Sequence, residues 1–340
     1  MGRSAQSSVW TVVRWAIAGL LIASCGAWLL GESLWIADLV SQVTGVWAFG
    51  ALAFGIWCVI RKRWASAGVC GAALAVAVTG VVPGRSLWVG GDGQPDDGSV
   101  RVLVYNALAH NEDREGVRST ILDAEADVIG LLEPPTWLVD ELRDGDAWRE
   151  RYPHYFVSER ASAGFKVVLS RWPQYDVESR REGAKHTLVA GTRQMLLDRP
   201  AGAFAFTLVH PRSPRSPGRW RAGNTLVETL VARHESLIEP LGVAHVVAGD
   251  FNATPTGYRS RALAAGGLRR AKPLASPAGT FPGWAPWPLS LAIDDVLVSP
   301  LVVVERWRAA DGGGSDHRAV IVDLTIPAPP DGFTLGRPEP

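Results

Sequence analysis

Several apolar segments of this chain are followed by polar side chains that could bind a divalent cation and move a proton. Each polar residue sits at or just beyond a short run of apolar residues, where the end of a strand would place it at the edge of a sheet. Carboxylate and amide oxygens suit a hard cation, and imidazole and carboxylate groups can orient a reacting water. The candidates are Asn106, Glu133, His210, Asp250, Asn252, Asp294, Asp316 and His317.

A simpler interpretation exists for each of these residues taken alone. An isolated Asp or Asn after a strand is usually a turn former that satisfies its own backbone. This interpretation is harder to maintain for the whole set, because every member follows the same pattern. We therefore expect these side chains to meet at one rim of a sheet.

The elements that must position these residues follow from the apolar periodicity of residues 100–326. β-Branched and apolar runs predict strands at 100–105, 127–132, 155–158, 165–170, 187–197, 203–209, 244–248, 292–298 and 319–325. Helical spacing predicts helices at 112–126 and 225–238, and Pro134 and Pro135 can open another. Strands that alternate with helices indicate a layered α/β domain.

Charge divides the chain near Pro83. Of the 34 Lys and Arg and 34 Asp and Glu, only five cations and two anions precede Pro83, which leaves 29 and 32 downstream. The downstream part is mildly acidic, and this argues against a general nuclease, which needs a basic surface to neutralise phosphates. All three cysteines lie before Pro83, so residues 100–326 cannot form a disulfide or a thiolate metal site.

The first 82 residues contain three apolar stretches, at 15–30, 43–60 and 65–82. A bilayer-spanning helix needs about 17 to 25 residues. The second and third stretches reach that length, and the first does so with flanking residues. We expect a transmembrane anchor of three helices over residues 1–82.

The orientation of this anchor follows from its basic residues. Arg61, Lys62 and Arg63 separate the second and third stretches, and positive loops stay on the cytoplasmic side. This predicts a cytoplasmic N-terminus and a catalytic domain outside the cell. Three alternatives remain: a soluble helical bundle, a signal peptide, and a lipoprotein cleavage box ending at Cys25. The two apolar stretches that follow Cys25 argue against the second and third.

Two segments lack the apolar content needed to pack. Residues 83–99 are rich in Gly, Asp and Pro and predict a linker. Residues 327–340 contain five prolines and predict a disordered tail.

The motifs, taken in order, resemble those of the endonuclease/exonuclease/phosphatase superfamily across nearly all of residues 100–326. GDFN at 249–252 and SDH at 315–317 are fairly specific, whereas the two-residue matches are weak alone. The matching segments are Tyr105-Asn106, Glu133, Gly164 to Arg171, His210, Gly249 to Asn252, Ile293-Asp294 and Ser315 to His317. The resemblance implies a DNase I-like α/β sandwich.

The resemblance also implies roles in phosphate ester hydrolysis. Glu133, with Asn106 nearby, corresponds to the ligand of Mg²⁺ or Mn²⁺, and Asp316 to a metal ligand on the opposite side. Asp250 corresponds to the base that orients water. His210 and His317 would contact the phosphate, and Asn252 would hydrogen-bond either the phosphate or a metal-bound water. Asp294 would hold the His317 ring in one tautomer.

The sequence departs from the family pattern in two places. Leu132 precedes Glu133 where many members have Gln, and Asp295 follows Asp294 where an aromatic residue or His is common. The second departure leaves either Asp294 or Asp295 as the partner of His317, and the position after Ile293 favours Asp294. Two other interpretations are that His317 is merely exposed and that Asp294 caps a turn.

Two loops bear on the substrate. Residues 211–221 carry four arginines directly after His210, among them Arg212 and Arg215, which either bind phosphate or form a solvated charged loop. Residues 281–289 contain Trp284 and Trp287 and either pack normally or dip into a membrane interface.

Together these features predict an extracellular phosphoesterase that acts on a phosphorylated lipid or lipid-linked headgroup. The layout is similar to that of membrane-anchored superfamily members associated with glycopeptide-antibiotic resistance. The alternatives are a nuclease or phosphodiesterase acting on soluble substrates and an inactive binding module with the same fold.

Overall fold

The structure is a computed structural model that describes residues 2–81, 86, 98–158, 164–178, 180, 192–286 and 289–335, without the side chains of 2–7 and 146. The chain divides into two compact units. The N-terminal unit contains Met1–Pro83 together with Ala253–Arg261, and the catalytic unit contains Gly84–Asn252 together with Ala262–Pro340. Most of the predicted linker lies outside the described residues.

The described residues form nine α-helices and twelve strands. The helices are α1 Gly2–Cys25, α2 Trp35–Ser41, α3 Thr44–Ile60, α4 Trp64–Val81, α5 Arg114–Asp123, α6 Thr136–Asp144, α7 Asp146–Arg151, α8 Pro217–Arg233 and α9 Tyr258–Ala265. The strands are β1 Ser99–Asn106, β2 Val128–Leu132, β3 His154–Val157, β4 Lys166–Ser170, β5 Gln174–Tyr175, β6 Thr192–Arg199, β7 Gly202–Val209, β8 His245–Asp250, β9 Arg269–Arg270, β10 Asp294–Val298, β11 Val303–Ala310 and β12 Ala319–Thr325.

The N-terminal unit contains helices that are apolar enough to cross a membrane. By length and composition, Ser8–Cys25 of α1 and Trp64–Val81 of α4 qualify, and α2 with α3 adds a third span if this bent pair is counted as one. The two helices of the pair meet at 64°. The first apolar stretch differs from its predicted bounds, because α1 ends at Cys25 and a separate 3-10 helix, Ala27–Leu30, follows.

Small residues form the interior of this helical unit, and large apolar residues cover its outside. Cys25, Ala51 and Ala73 are fully buried where α1, α3 and α4 pack together. Leu20 and Ile60, by contrast, are mostly exposed. Small residues let helix backbones approach closely, and lipid can cover the exposed apolar side chains. This distribution agrees with a membrane anchor.

The N-terminal unit also includes a short segment that directly follows Asn252 in the chain. The side chain of Gln42 accepts a hydrogen bond from the Thr254 backbone N–H at 2.6 Å. The buried Asp38 carboxylate accepts one from the backbone N–H of Tyr258, the first residue of α9, at 2.7 Å. The Arg261 guanidinium lies 5.3 Å from the centre of the Trp28 ring. Asp38 and Gln42 therefore fix the backbone of residues 254–258.

Two six-stranded sheets form the centre of the catalytic unit. Their strand orders are β11-β12-β1-β2-β4-β3 and β5-β6-β7-β8-β10-β9. Alternate side chains of each strand face the core between the sheets, such as Val102 and Val104 of β1 and Phe204 and Phe206 of β7. This arrangement confirms the predicted layered α/β sandwich.

The outer faces of the sheets are covered by helices and by the C-terminal segment. Leu103 and Tyr105 of β1 pack with Val117 of α5 and Leu138 of α6. The outer face of the second sheet packs against residues that follow α8, including Ile238. The helix predicted at 225–238 begins earlier, at Pro217, so the predicted arginine loop is partly helical.

Three strands were absent from the sequence prediction. The strands β5 and β9 have only two residues each, too few for a periodic signal. The eight-residue β11 lies at a sheet edge, where a register shift between Val304 and Arg306 interrupts its alternation. Of the strand predicted at 187–197, residues 187–191 lie outside the described residues.

The first part of the predicted disordered tail is packed. Leu335 is buried and Phe333 packs beside it, in a cluster with Tyr175 and Val177. The expectation of disorder is therefore wrong for residues 327–335, because the apolar side chains of Phe333 and Leu335 pack against this cluster. Residues 336–340 lie outside the described residues.

A buried histidine pair should make the stability of the catalytic unit depend on pH. Nδ1 of His245 lies 3.0 Å from Nδ1 of His234, and Nε2 of His245 lies 2.8 Å from the Thr207 hydroxyl. Burial lowers the pKa of His245 well below its ordinary value of about 6.5, and burial also lowers the pKa of His234. The unfolded chain then binds more protons than the native protein below about pH 6.5.

We therefore expect wild-type protein to lose stability relative to His245→Gln as the pH falls from 7 to 5, by at most about 1.4 kcal/mol per pH unit for this one group. Urea unfolding at several pH values measures the difference. Parallel pH profiles for the two proteins would contradict the prediction.

Candidate active site

Strand pairing brings the predicted residues to one edge of both sheets. The strands β1 and β2 are parallel with Asn106 opposite Leu132, so Asn106 and Glu133 leave the first sheet together. The strands β7 and β8 are also parallel, and His210 and Asp250 leave the second sheet in the same way. The strand β10 is antiparallel, and its first residue, Asp294, pairs with Asp250. Asp294 therefore reaches this edge from the beginning of its strand.

Asp250 is the centre of the resulting cluster. Its Oδ2 accepts a hydrogen bond from the Asn106 amide at 3.2 Å and lies 3.5 Å from His210 Nε2 and 3.9 Å from His317 Nε2. Burial alone would raise the pKa of Asp250, but the hydrogen bond from His210 and the charges of His317 and His210 lower it to about 2. Asp250 is therefore a carboxylate at any physiological pH.

Glu133 and Asn252 have backbone conformations that are rare for residues other than glycine. Their φ angles are 46° and 48°, in the left-handed region. Such strain is found mainly where the surrounding structure holds a functional side chain in place. Glu133 Oε1 lies 3.6 Å from His210 Nε2, and the Asn252 amide donates to the Pro211 carbonyl at 3.1 Å.

His317 forms a hydrogen-bonded pair with Asp294. The distance from His317 Nδ1 to Asp294 Oδ2 is 2.8 Å. Burial would lower the pKa of His317, but the charge of Asp294 and its hydrogen bond, together with the charge of Asp250, raise it to about 10. The imidazole therefore carries a proton on Nε2, directed towards the cluster, and this agrees with an orienting role for Asp294.

Asp295 has different partners, and this identifies Asp294 as the aspartate that pairs with His317. Because side chains alternate along a strand, Asp295 points away from Asp294. Its carboxylate lies 3.3 Å from the Arg270 guanidinium and accepts a hydrogen bond from the Trp307 indole at 2.9 Å. Asp295 is fully buried and supports the sheet rather than His317.

The cluster opens into a cavity of about 380 Å³. It is lined by Asn106, Leu108, Glu133, His210, Pro211, Arg212, Ser213, Arg215, Arg219, Asp250, Asn252, Phe281, Ile293, Asp316 and His317. Of the eight polar candidates, Asp294 alone is absent from this lining, because it lies behind His317. The predicted substrate residues Arg212 and Arg215 are present. Trp284 is 81% exposed and outside the cavity, and Trp287 lies outside the described residues.

The donor atoms around this cavity suit a divalent cation. Asn106, Glu133 and Asp316 contribute amide and carboxylate oxygens, which Mg²⁺ and Mn²⁺ prefer. Ligand atoms of Asp250, Asp294 and His317 also lie within 4.8 Å of one another. The last two are already joined by a hydrogen bond.

A scan against protein-family models matches residues 103–317, nearly all of the catalytic unit, to the endonuclease/exonuclease/phosphatase family. The chain belongs to this family. Members of the endonuclease/exonuclease/phosphatase family are hydrolases that act on phosphate esters, and they generally use a divalent metal. The match identifies the family and no particular branch of it.

Solved structures support the fold assignment. An endonuclease/exonuclease/phosphatase from Beutenbergia cavernae is 19% identical with a TM-score of 0.51, over 69% of this chain and 73% of that one. A humanized Danio rerio TDP2 with 14 mutations is 14% identical with a TM-score of 0.51, over 67% and 99%. A conserved protein of unknown function from Enterococcus faecalis is 17% identical with a TM-score of 0.50, over 66% and 99%. A search of curated proteins finds no significant match.

Three further residues of this family site were not predicted from the sequence. The Ser315 hydroxyl donates to the Asn106 carbonyl at 2.7 Å and accepts from the His317 backbone N–H at 3.1 Å. Thr280 accepts a hydrogen bond from the Asp294 backbone N–H, and the Phe281 ring lies 4.8 Å from the His317 ring. Ser315 belongs to the SDH motif, which offered a signal. Phe281 begins the predicted loop 281–289, but its contact with His317, like that of Thr280 with Asp294, arises only from tertiary folding.

Proposed function

We propose that this protein is a membrane-anchored, divalent-metal-dependent phosphoesterase that acts outside the cell on a phosphorylated lipid or lipid-linked headgroup. The observation that carries the hydrolase assignment is the cluster around Asp250, an ionised, buried carboxylate within 4 Å of two histidines and beside a cavity lined by oxygen donors. Such an arrangement can bind a phosphate and orient a water molecule at the same time.

The chain's own residues divide the work of hydrolysis. A bound Mg²⁺ or Mn²⁺, held by Glu133, Asn106 and Asp316, would neutralise charge on the phosphoryl oxygens. Asp250 accepts a hydrogen bond from the attacking water and orients it towards phosphorus. His210, Asn252 and protonated His317 donate hydrogen bonds to phosphoryl oxygens, where negative charge increases in the transition state.

The membrane part of the proposal rests on the N-terminal helices and on the loop before β10. Two or three helices are apolar enough to span a bilayer, and Arg61, Lys62 and Arg63 between α3 and α4 favour an external catalytic unit. The loop that begins at the cavity residue Phe281 carries Trp284 and Leu289, both mostly exposed. Exposed aromatic and aliphatic side chains of this kind insert into lipid interfaces.

The test compares lipid and soluble substrates with the full-length protein in mixed micelles. Phosphate monoesters, diesters and pyrophosphates are offered in long-chain and water-soluble forms, with Mg²⁺ or with a chelator. We expect Mg²⁺-dependent hydrolysis that is faster for a long-chain substrate. Preference for soluble esters would favour a phosphodiesterase or nuclease of soluble substrates. Failure to hydrolyse any bond type with Mg²⁺ or Mn²⁺ would favour a binding module.

A loop variant tests lipid recognition in the same assay. Burying an aromatic side chain contributes about 1.5 to 3 kcal/mol, so Trp284→Ser should lower kcat/KM for the lipid substrate about tenfold or more and leave the soluble substrate nearly unaffected. Leu301→Ser, which removes a half-exposed apolar side chain between β10 and β11, is the matched control. Equal losses on both substrates would remove the argument for the loop.

A further inference from the structure

Three arginines lie together along the catalytic cavity and form what we call its arginine wall. Arg212, Arg215 and Arg219 line it together with His210 and Asn252. The fourth arginine of this segment, Arg221, is exposed and is not part of the lining. The segment is therefore more than a solvated charged loop, because three of its four arginines line the cavity that contains Asp250.

The backbone that carries these arginines is held in place. Pro211, Pro214 and Pro217 restrict three of the seven residues from 211 to 217. The Pro211 carbonyl accepts the hydrogen bond from Asn252, which joins the segment to the catalytic motif. Because these residues are ordered before the substrate binds, binding costs less conformational entropy.

Hydrogen bonds to Ser213 and Ser216 continue this order into α8. The Ser213 carbonyl accepts hydrogen bonds from the Arg215 backbone N–H at 2.9 Å and from Arg219 Nε at 3.2 Å. The Ser216 side chain accepts the Arg219 backbone N–H and caps the first turn of α8. The Arg219 side chain is thereby directed from the helix start towards the segment that lines the cavity.

The three arginines carry more positive charge than the binding of the hydrolysed phosphate requires. Under the proposed function, that phosphate is already bound by a cation and by His210, Asn252 and His317. Within the part of the chain that the structure describes, no carboxylate forms an ion pair with Arg215 or Arg219. Guanidinium groups bind phosphate through paired hydrogen bonds, so a second phosphate beside the first is the ligand that suits them.

We propose that Arg212, Arg215 and Arg219 form a subsite for a second phosphate group, adjacent to the one that is hydrolysed. This inference rests on the proposed function and narrows its substrate to diphosphates. Water attacks the terminal phosphorus, the bond from that phosphorus to the bridging oxygen breaks, and the inner phosphate leaves on the organic product. The arginines stabilise the negative charge that the leaving oxygen acquires. A lipid diphosphate and a soluble diphosphate share this chemistry.

The test measures phosphate release from an alkyl diphosphate and from the matching alkyl monophosphate, each in a short-chain soluble form and a long-chain micellar form. Full-length wild type, Arg215→Gln/Arg219→Gln and the control Arg221→Gln are compared with Mg²⁺ in excess. The readout is the ratio of kcat/KM for diphosphate over monophosphate. We expect wild type to favour the diphosphate about tenfold or more, the double variant to lose most of that preference, and the control to keep it. The two chain lengths distinguish a lipid from a soluble source.

Two results would overturn the subsite. The first is a double variant that hydrolyses both substrates with the wild-type ratio, and the second is a wild type that prefers the monophosphate. In either case the arginines do not bind a second phosphate, although the phosphoesterase assignment stands. If wild type hydrolyses neither of these substrates but hydrolyses a phosphate diester, the subsite alone fails; if it hydrolyses none of the three bond types, the proposed function fails with it. The substituted side chains are exposed, so both variants should fold, and circular dichroism checks this.

Discussion

Replacing Asp250 with asparagine should lower kcat by about 10²- to 10⁴-fold while leaving the protein folded. The substitution removes the negative charge that we propose orients the attacking water, but it keeps the shape of the side chain. Its remaining oxygen can still accept the hydrogen bond from the Asn252 backbone N–H, which is 2.8 Å in the native protein. Steady-state hydrolysis of the best substrate, with circular dichroism of the same samples, measures both effects.

The matched control for this substitution is Asp140→Asn on α6. Asp140 is exposed and does not line the cavity, so the same loss of charge there should leave kcat within about twofold of wild type. Retention of wild-type kcat by Asp250→Asn would contradict the assignment of Asp250 as the water-orienting group. Because the pKa of Asp250 is about 2, its protonation should contribute no acid limb to the pH profile above pH 4.

The second large effect is expected at Glu133. Changing Glu133 to glutamine keeps the volume of the side chain but replaces a charged oxygen, which we propose as a metal ligand, with a neutral one. The Mg²⁺ concentration for half-maximal activity should therefore rise at least about tenfold, and kcat/KM at a fixed low Mg²⁺ concentration should fall about a hundredfold. Titration of activity with Mg²⁺, after removal of bound metal with a chelator, gives both quantities.

Glu150→Gln, at an exposed position of α7, controls for the general loss of a negative charge. It should leave the Mg²⁺ titration unchanged. An unchanged titration for Glu133→Gln as well would show that the cation, if one binds, is held elsewhere. The alternative group of Asp250, Asp294 and His317 would then become the better candidate.

Much of the fold could be predicted from the sequence because its strands are short, buried and apolar. The strand Ala319–Thr325 has the predicted bounds, and β1, β2, β4 and β7 differ from theirs by one residue or two. Elements at the edges were not predicted, because they are not fully buried and their apolar and polar residues do not alternate regularly. The strand β11 has a bulge, and the helix α9 has scarcely any apolar face.

The site could be predicted as a set of positions but not as a geometry. Residues at strand ends are readable from sequence, and Asp250, His210 and Glu133 do lie together. The pairing of Asp294 with Asp250 depends on an antiparallel strand order that no local pattern encodes. Strand alternation could have separated Asp294 from Asp295, but Arg270 and Trp307, which bind the latter, are distant in sequence. Arg219 was assigned to a loop because the apolar spacing that predicted the helix begins only near residue 225, whereas α8 starts at Pro217.

The hydrogen bonds from residues 254–258 to Asp38 and Gln42 have a practical consequence for anyone preparing a soluble fragment. Deleting residues 1–83 would remove both acceptors at once and leave the backbone N–H groups of Thr254 and Tyr258 unpaired. These groups begin two residues after Asn252, so the loss falls on the stretch of chain that leads away from the GDFN motif. A fragment that begins at Gly84 would therefore lack the two side chains that hold residues 254–258 in place.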